Sequence, residues 1–98
     1  MEYNLTTRHF EPTKQLKKRI DKRVNRLKKF SNLILRIDVL VELDGKNMRN
    51  AQILVKTKKD ILTAKASDHD PYIAFNAAYK KIETQLRRFD DKIKSYNG

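Results

Sequence analysis

The amino-acid sequence predicts an α+β domain in which a four-stranded sheet carries two helices packed on one face, in the order β-α-β-β-β-α. Two long segments repeat apolar residues at helical spacing, and four shorter segments alternate apolar and polar residues, as a strand with one buried face does. The 98 residues are enough for a single domain over residues 1–98 and too few for two.

The first strand and the first helix occupy the N-terminal third of the chain. Residues 2–7 alternate, with Tyr3 and Leu5 on one face. Pro12 precedes a helix predicted over residues 14–30, with Thr13 as its N-cap. The apolar residues that recur along this helix are Leu16, Ile20, Val24, Leu27 and Phe30.

Three further strands follow. Residues 33–43 carry an apolar residue at every odd position, so we expect a second strand with one fully hydrophobic face. Turns at residues 44–47 and 57–60 then lead into a third and a fourth strand. The residues on the apolar faces of these two strands are Ala51, Ile53 and Val55, then Leu62, Ala64 and Ala66.

The last helix is predicted over residues 71–95, with Asp70 and Pro71 at its start. Its apolar residues are Phe75, Tyr79, Ile82, Leu86, Phe89 and Ile93. A right-handed crossover through the first helix makes strands 1 and 2 parallel, and short turns make strands 2, 3 and 4 antiparallel, in sheet order 1-2-3-4. The expected core is Leu16, Ile20, Val24, Leu27, Ile37, Val39, Ile53, Ile82, Leu86 and Phe89.

The charge balance indicates a polyanionic partner. Lys and Arg number 23 against 12 Asp and Glu, which gives a net charge of +11, and nucleic acid is the commonest ligand of such chains. Residues 14–29 hold nine Lys or Arg and a single acid, Asp21. A helix face that is merely solvated normally mixes signs, because like charges three and four residues apart repel.

A helical projection at 100° per residue places the basic residues beside the apolar stripes. On the first helix, Arg19, Arg23 and Arg26 flank the stripe on one edge, and Lys17 and Lys28 on the other. The second helix has a basic edge and a mixed edge. The basic edge holds Lys81, Gln85, Arg88 and Lys92, and the mixed edge holds Glu83, Asp90, Arg87 and Lys94. We hypothesise that the two basic edges face each other and form a positive groove for a phosphate backbone.

Catalytic and metal chemistry are not indicated. There is no Cys and no Gly-rich phosphate loop. The run Asp68-His69-Asp70 is best interpreted as a polar loop with an Asp N-cap, because three near-adjacent residues rarely converge on one ion. We therefore expect no enzyme activity, no metal and no cofactor. No segment is apolar for the roughly 18 residues that a membrane span needs, and we expect a cytoplasmic protein.

Several segments together resemble the ribosome hibernation promoting factors and the related ribosome-associated inhibitor proteins. The resemblance is carried by Asp70-Pro71-Tyr72-Ile73-Ala74-Phe75-Asn76 and the run from Lys81 to Arg88, and at the start by Asn4-Leu5-Thr6, Glu11, Thr13, Leu16, Lys22-Arg23, Arg26-Leu27 and Phe30. It covers the whole chain. Phe75 stands where the family usually has Ile, and Thr84 stands where a basic residue is common.

The resemblance implies a ribosome-binding domain that occupies the small ribosomal subunit in the mRNA/tRNA channel, near the decoding centre. There it would block translation and protect idle ribosomes. The RNA-binding positions it implies are Arg23, Arg26, Lys29, Lys81, Arg88 and Lys92. The helical projection selects the same residues except Lys29, which rests on the resemblance alone.

Other interpretations remain open at this stage. The chain could be a generic double-stranded RNA-binding module, which reads shape across two minor grooves, or a membrane-surface protein that uses its basic first helix. It could be a short-form protein, or the N-terminal part of a long form that carries a second, dimerising domain. We expect a monomer away from the ribosome.

Overall fold

The computed structural model describes the backbone of residues 1–97 and the side chains of residues 1–92. The elements are β1 (Glu2–Arg8), α1 (Lys14–Asn25), a 3₁₀ helix (Arg26–Phe30), β2 (Ile34–Asp44), β3 (Met48–Thr57), β4 (Ile61–Asp68) and α2 (Pro71–Asn97). The predicted order of strands and helices is confirmed.

The four strands form one mixed sheet in the order β1-β2-β3-β4. β1 and β2 are parallel, with Glu2 opposite Arg36, while β2, β3 and β4 are antiparallel neighbours. The buried residues of both helices and those on the inner sides of β2, β3 and β4 form a single hydrophobic cluster. Both helices therefore pack on the same face, as the single stripe on each predicted.

Both helices begin at the predicted caps. The Thr13 hydroxyl accepts a hydrogen bond of 3.0 Å from the Leu16 N–H. Asp70 Oδ1 accepts bonds of 2.8 Å from Tyr72 N–H and 3.1 Å from Ile73 N–H. These bonds satisfy N–H groups that the first helical turn leaves unpaired, a contribution of about 1 kcal/mol per cap.

The first helix changes type before its predicted end. It is α-helical only to Asn25 and continues as a 3₁₀ helix to Phe30, rather than as one α-helix over 14–30. A 3₁₀ helix has three residues per turn, so residues three apart lie above one another. That geometry directs Leu27 and Phe30 to the same side, where both are buried.

The start of β2 departs from the strict alternation that the sequence predicts. Ile34 pairs with Thr57 and Arg36 with Lys56, so two steps along β2 match one step along β3 and Leu35 is the extra residue of a β-bulge. Ile34 is buried and Leu35 is 44% exposed. The prediction that every odd residue of this strand faces the core is therefore wrong at Leu35.

The expected core is confirmed except at one residue. Ile82 and Leu86 are completely buried, but Phe89 is only partly buried. α2 has 27 residues and so is about 40 Å long, whereas the eight residues of β4 span about 26 Å. Phe89, about 27 Å from the start of α2, lies where the sheet beneath it ends. Ile93, the last residue of the apolar line predicted for this helix, has its side chain outside the described residues.

The described helices contain no stretch that is long and apolar enough to cross a bilayer.

Candidate nucleic-acid interface

The arginine edge of α1 lies against α2. The guanidinium carbon of Arg19 is 3.7 Å from the centroid of the Tyr72 ring, and that of Arg23 is 5.0 Å from the centroid of the Tyr79 ring. Each contact places a cation over the face of an aromatic ring, which attracts it electrostatically. Two tyrosines of α2 therefore hold two arginines of α1 at the seam between the helices.

A cleft of about 220 Å³ opens beside these stacked pairs, lined by Arg19, Lys22, Arg23, Arg26 and Tyr72. We call it the interhelical cleft. Its described lining contains four cationic side chains and no acidic one. Arg19, Lys22 and Arg26 are exposed and Arg23 is partly buried, so the cleft is open to a ligand from solvent.

The buried Nε of Arg23, a residue that lines the cleft, forms no hydrogen bond. Leaving such an atom unsatisfied costs about 1–3 kcal/mol. Burial raises the pKa of the Tyr79 phenol, and the charge of Glu83 raises it further, while Arg23 and Arg26 oppose that rise. The phenol is therefore neutral at physiological pH.

The one acid of the first helix points away from the cleft. Asp21 Oδ1 accepts a hydrogen bond of 2.8 Å from the Tyr3 hydroxyl on β1. Burial, the hydrogen bond to Asp21 and the charge of Asp21 all raise the pKa of Tyr3. Because Asp21 faces β1, it does not pair with the arginines of the interhelical cleft.

The hypothesis that the two basic edges face each other is wrong. Lys81 Nζ donates a hydrogen bond of 2.8 Å to the Lys65 carbonyl, and Gln85 Nε2 one of 2.9 Å to the Thr63 carbonyl. The basic edge of α2 thus lies over β4, at the outer margin of the sheet. The edge of α2 that faces α1 is the mixed one, and there Glu83 Oε2 lies 3.6 Å from Lys29 Nζ.

The six residues proposed from the sequence fall into two groups. Arg23, Arg26 and Lys29 lie on the α1 side, and Lys81, Arg88 and Lys92 lie along the outer edge of α2. Arg26, Arg88 and Lys92 are exposed, and none of the three forms an ion pair within the described part of the chain.

Three of the six already have a partner in the protein, and one of them is Arg23, which lies over the Tyr79 ring. Lys29 pairs with Glu83, which also lies 3.7 Å from Arg87, and Lys81 is bonded to Lys65. An exposed ion pair contributes only about 0–1 kcal/mol, so Lys29 can exchange Glu83 for an external anion at small cost.

Three residues of the interhelical cleft were not among those proposed, namely Arg19, Lys22 and Tyr72. Arg19 shares an edge with Arg23 and Arg26 in the helical projection, which was the available signal. Tyr72 and Tyr79 are seven residues apart, so they lie on one line of α2. The sequence did not show that this line faces α1.

The loop before α2 uses its carboxylates for backbone hydrogen bonds. Asp68 Oδ2 accepts a bond of 2.8 Å from Asp70 N–H, and Asp70 caps the helix. The His69 ring lies 3.3 Å from the Asn47 carbonyl. This confirms the interpretation of Asp68-His69-Asp70 as a polar loop with an Asp N-cap.

Comparison with known proteins gives consistent results. Residues 3–94 match the family described as "Sigma 54 modulation protein / S30EA ribosomal protein". The ribosome hibernation promotion factor of Bacillus subtilis (strain 168) is 26% identical over 95 residues, which are 95% of this chain and 50% of that protein. The chain thus spans about half the length of this curated relative.

Two solved structures share the fold. A ribosomal subunit interface protein from Coxiella burnetii superposes with a TM-score of 0.82 at 21% identity, covering 93% of this chain and 99% of that one. The N-terminal domain of Thermus thermophilus Protein Y superposes with a TM-score of 0.78 at 29% identity, covering 91% of this chain and 99% of that one.

Proposed function

The chain belongs to the Sigma 54 modulation protein / S30EA ribosomal protein family, and on that premise we propose that it is a ribosome-associated inhibitor of translation. It binds the small ribosomal subunit in the mRNA/tRNA channel near the decoding centre and promotes ribosome hibernation. The name of the Bacillus subtilis relative supports the hibernation role. The basic helices support ribosomal RNA as the direct ligand.

The observation that carries the proposal is the concentration of uncompensated positive charge on α1. Four cationic side chains line the interhelical cleft, and the only acid of that helix is directed to β1. Guanidinium groups bind phosphate oxygens through two parallel hydrogen bonds. Folded ribosomal RNA presents closely spaced phosphates, so it matches the positive charge of this surface.

The two groups of basic residues make separate contacts with RNA. Arg23, Arg26 and Lys29 contact it from the seam between the helices, and Arg88 and Lys92 contact it from the outer edge of α2. Lys81 contributes less, because its ammonium group is bonded to the Lys65 carbonyl. The RNA therefore lies across the helical layer instead of in a groove between two basic edges.

The test is co-sedimentation with isolated small subunits, combined with inhibition of translation in a cell extract. Arg26→Glu with Arg88→Glu removes one exposed cation from each group, and we expect it to abolish both activities. Neither residue belongs to the core, so thermal unfolding should change little. The matched control is Lys56→Glu with Lys58→Glu, which makes the same charge change on the open face of the sheet and in the turn between β3 and β4.

Salt dependence provides a second readout. Each phosphate contact releases counterions, so with about five contacts a threefold rise in salt should weaken binding more than about tenfold. If the control pair impairs binding as much as the helix pair, net charge rather than the helical layer is responsible. Equal affinity for a short RNA duplex and for the small subunit would favour the generic double-stranded RNA-binding module instead.

A further inference from the structure

The four cations of the interhelical cleft are arranged so that they repel one another. Among Arg19, Lys22, Arg23 and Arg26, four pairs are three or four residues apart, and like charges at these spacings destabilise a helix. Lys22 and Arg23 lie in the last turn of α1, where the helix dipole favours cations. That effect offsets part of the repulsion, but it does not explain why arginine side chains converge on the seam with α2.

Stacking on tyrosine fixes two of these arginines and leaves their donors available. The Arg19 guanidinium lies 3.7 Å from the centre of the Tyr72 ring. A stacked guanidinium uses its flat face for the ring, whereas its N–H groups lie in its own plane and remain free to bind an oxyanion. The arrangement holds donors in place before a ligand arrives, which lowers the entropic cost of binding.

An unpaired atom in the cleft points to the same kind of ligand. Arg23 lines the cleft, and its Nε is a buried hydrogen-bond donor without a partner. An oxyanion in the cleft brings several acceptor oxygens, and a small side-chain movement would let this donor reach one of them. A cationic or apolar ligand would satisfy neither this donor nor the repulsion among the four cations.

We propose that the interhelical cleft is a binding site for a single phosphate group, with Arg19 and Arg23 as its donors and Tyr72 as the residue that positions Arg19. This deepens the proposed function and rests on it in one respect, since it takes a phosphodiester of ribosomal RNA as the natural source of the phosphate. Lys22 and Arg26 complete the positive lining of the cleft.

The first experiment follows the Nε–Hε resonances of arginine by NMR in the whole chain. Inorganic phosphate is titrated against sodium chloride at matched ionic strength, and a short RNA duplex is titrated in a separate arm. We expect saturable shifts of Arg19 and Arg23 with phosphate but not with chloride, and the same resonances to shift at lower concentrations of RNA. Equal effects of phosphate and chloride would mean ordinary screening and would overturn the proposal.

Variants separate the site from general charge. Arg19→Gln should abolish the saturable phosphate response, whereas Lys56→Gln, which removes the same charge from the open face of the sheet, should preserve it. Tyr72→Leu removes the stack and should weaken phosphate binding about threefold to tenfold, while Tyr72→Phe keeps the ring and should bind normally. Amide spectra establish that each variant is folded. Equal affinity in Tyr72→Leu and Tyr72→Phe would overturn the positioning role.

The phosphate and ribosome assays distinguish the two proposals. A saturable phosphate response without small-subunit binding supports the cleft and contradicts the ribosomal target. Small-subunit binding that survives in a folded Arg19→Gln variant, together with no phosphate response in the wild type, contradicts the cleft alone. A response to inorganic phosphate but not to RNA identifies a free phosphorylated molecule as the source of the phosphate.

Discussion

Leu35 and Leu86 occupy positions that periodicity assigns to the core, and they end in different environments. Leu86, on the core-facing side of α2, is completely buried, whereas Leu35 is 44% exposed. The alternation of β2 specified the faces of Ile37, Val39 and Val41 correctly. It did not reveal the bulge, because a run of apolar residues at 33–35 fits either register equally well.

We therefore expect different effects from the same substitution at the two leucines. Leu86→Ala removes buried methyl groups and should lower the free energy of unfolding by about 2–5 kcal/mol. Leu35→Ala should lower it by no more than about 1 kcal/mol, since about half of that side chain is already in water. Urea unfolding of both variants measures the difference. Equal losses would contradict the bulge at the start of β2.

At the scale of secondary structure, α2 protects the exposed edge of the sheet. β4 is an outer strand, and an outer strand presents unpaired backbone groups to other chains. The side chains of Lys81 and Gln85 donate hydrogen bonds to two backbone carbonyls of this strand, those of Lys65 and Thr63. The nearby Ile61 is 57% exposed, so this edge would otherwise combine free acceptors with apolar surface.

Replacing both of these side chains should promote self-association. We expect Lys81→Ala with Gln85→Ala to form dimers or larger species through β4, as measured by sedimentation velocity. The control is Lys80→Ala with Thr84→Ala, which removes one charge and one polar group from exposed positions of α2, where the Thr84 hydroxyl donates to the Lys80 carbonyl and not to β4. A monomeric Lys81/Gln85 variant would show that these bonds do not protect the edge.

The same element shows the limit of sequence-based prediction. The helical projection identified both edges of α2, because side-chain direction follows from helical geometry alone. Which edge faces α1 depends on how the helix lies across β3 and β4, which is a property of tertiary packing. The family resemblance and the projection agreed on Lys81, yet its hydrogen bond to Lys65 became visible only in the folded chain.

At the scale of the whole molecule, charge is segregated between the two faces of the sheet. The helical layer carries the interhelical cleft and the outer basic edge. The open face mixes signs and includes the Arg36–Asp38 pair at 2.8 Å. Composition predicted the net charge of +11 and hence a polyanionic ligand. The segregation follows from periodicity, because most of the basic excess falls on two helices that pack on the same side.

The parallel pairing of β1 with β2 also constrains the order in which the chain folds. Glu2 meets Arg36 across the entire first helix, whereas Asp44 meets Met48 and Lys56 meets Ile61 across tight turns. Closing the longer loop costs more entropy, and local contacts form sooner. The β2–β3–β4 meander should therefore be structured in the folding transition state, while β1 joins the sheet afterwards although it is synthesised first.

Stopped-flow kinetics can test this order. Leu5→Ala should mainly accelerate unfolding, and Ile53→Val should mainly slow folding, because the first residue gains its contacts late and the second early. A Leu5 variant that slows folding in proportion to its loss of stability would place β1 in the nucleus. If β1 docks last during folding, it also detaches first during unfolding. The rate at which β1 leaves the sheet would then set the rate at which the folded domain opens.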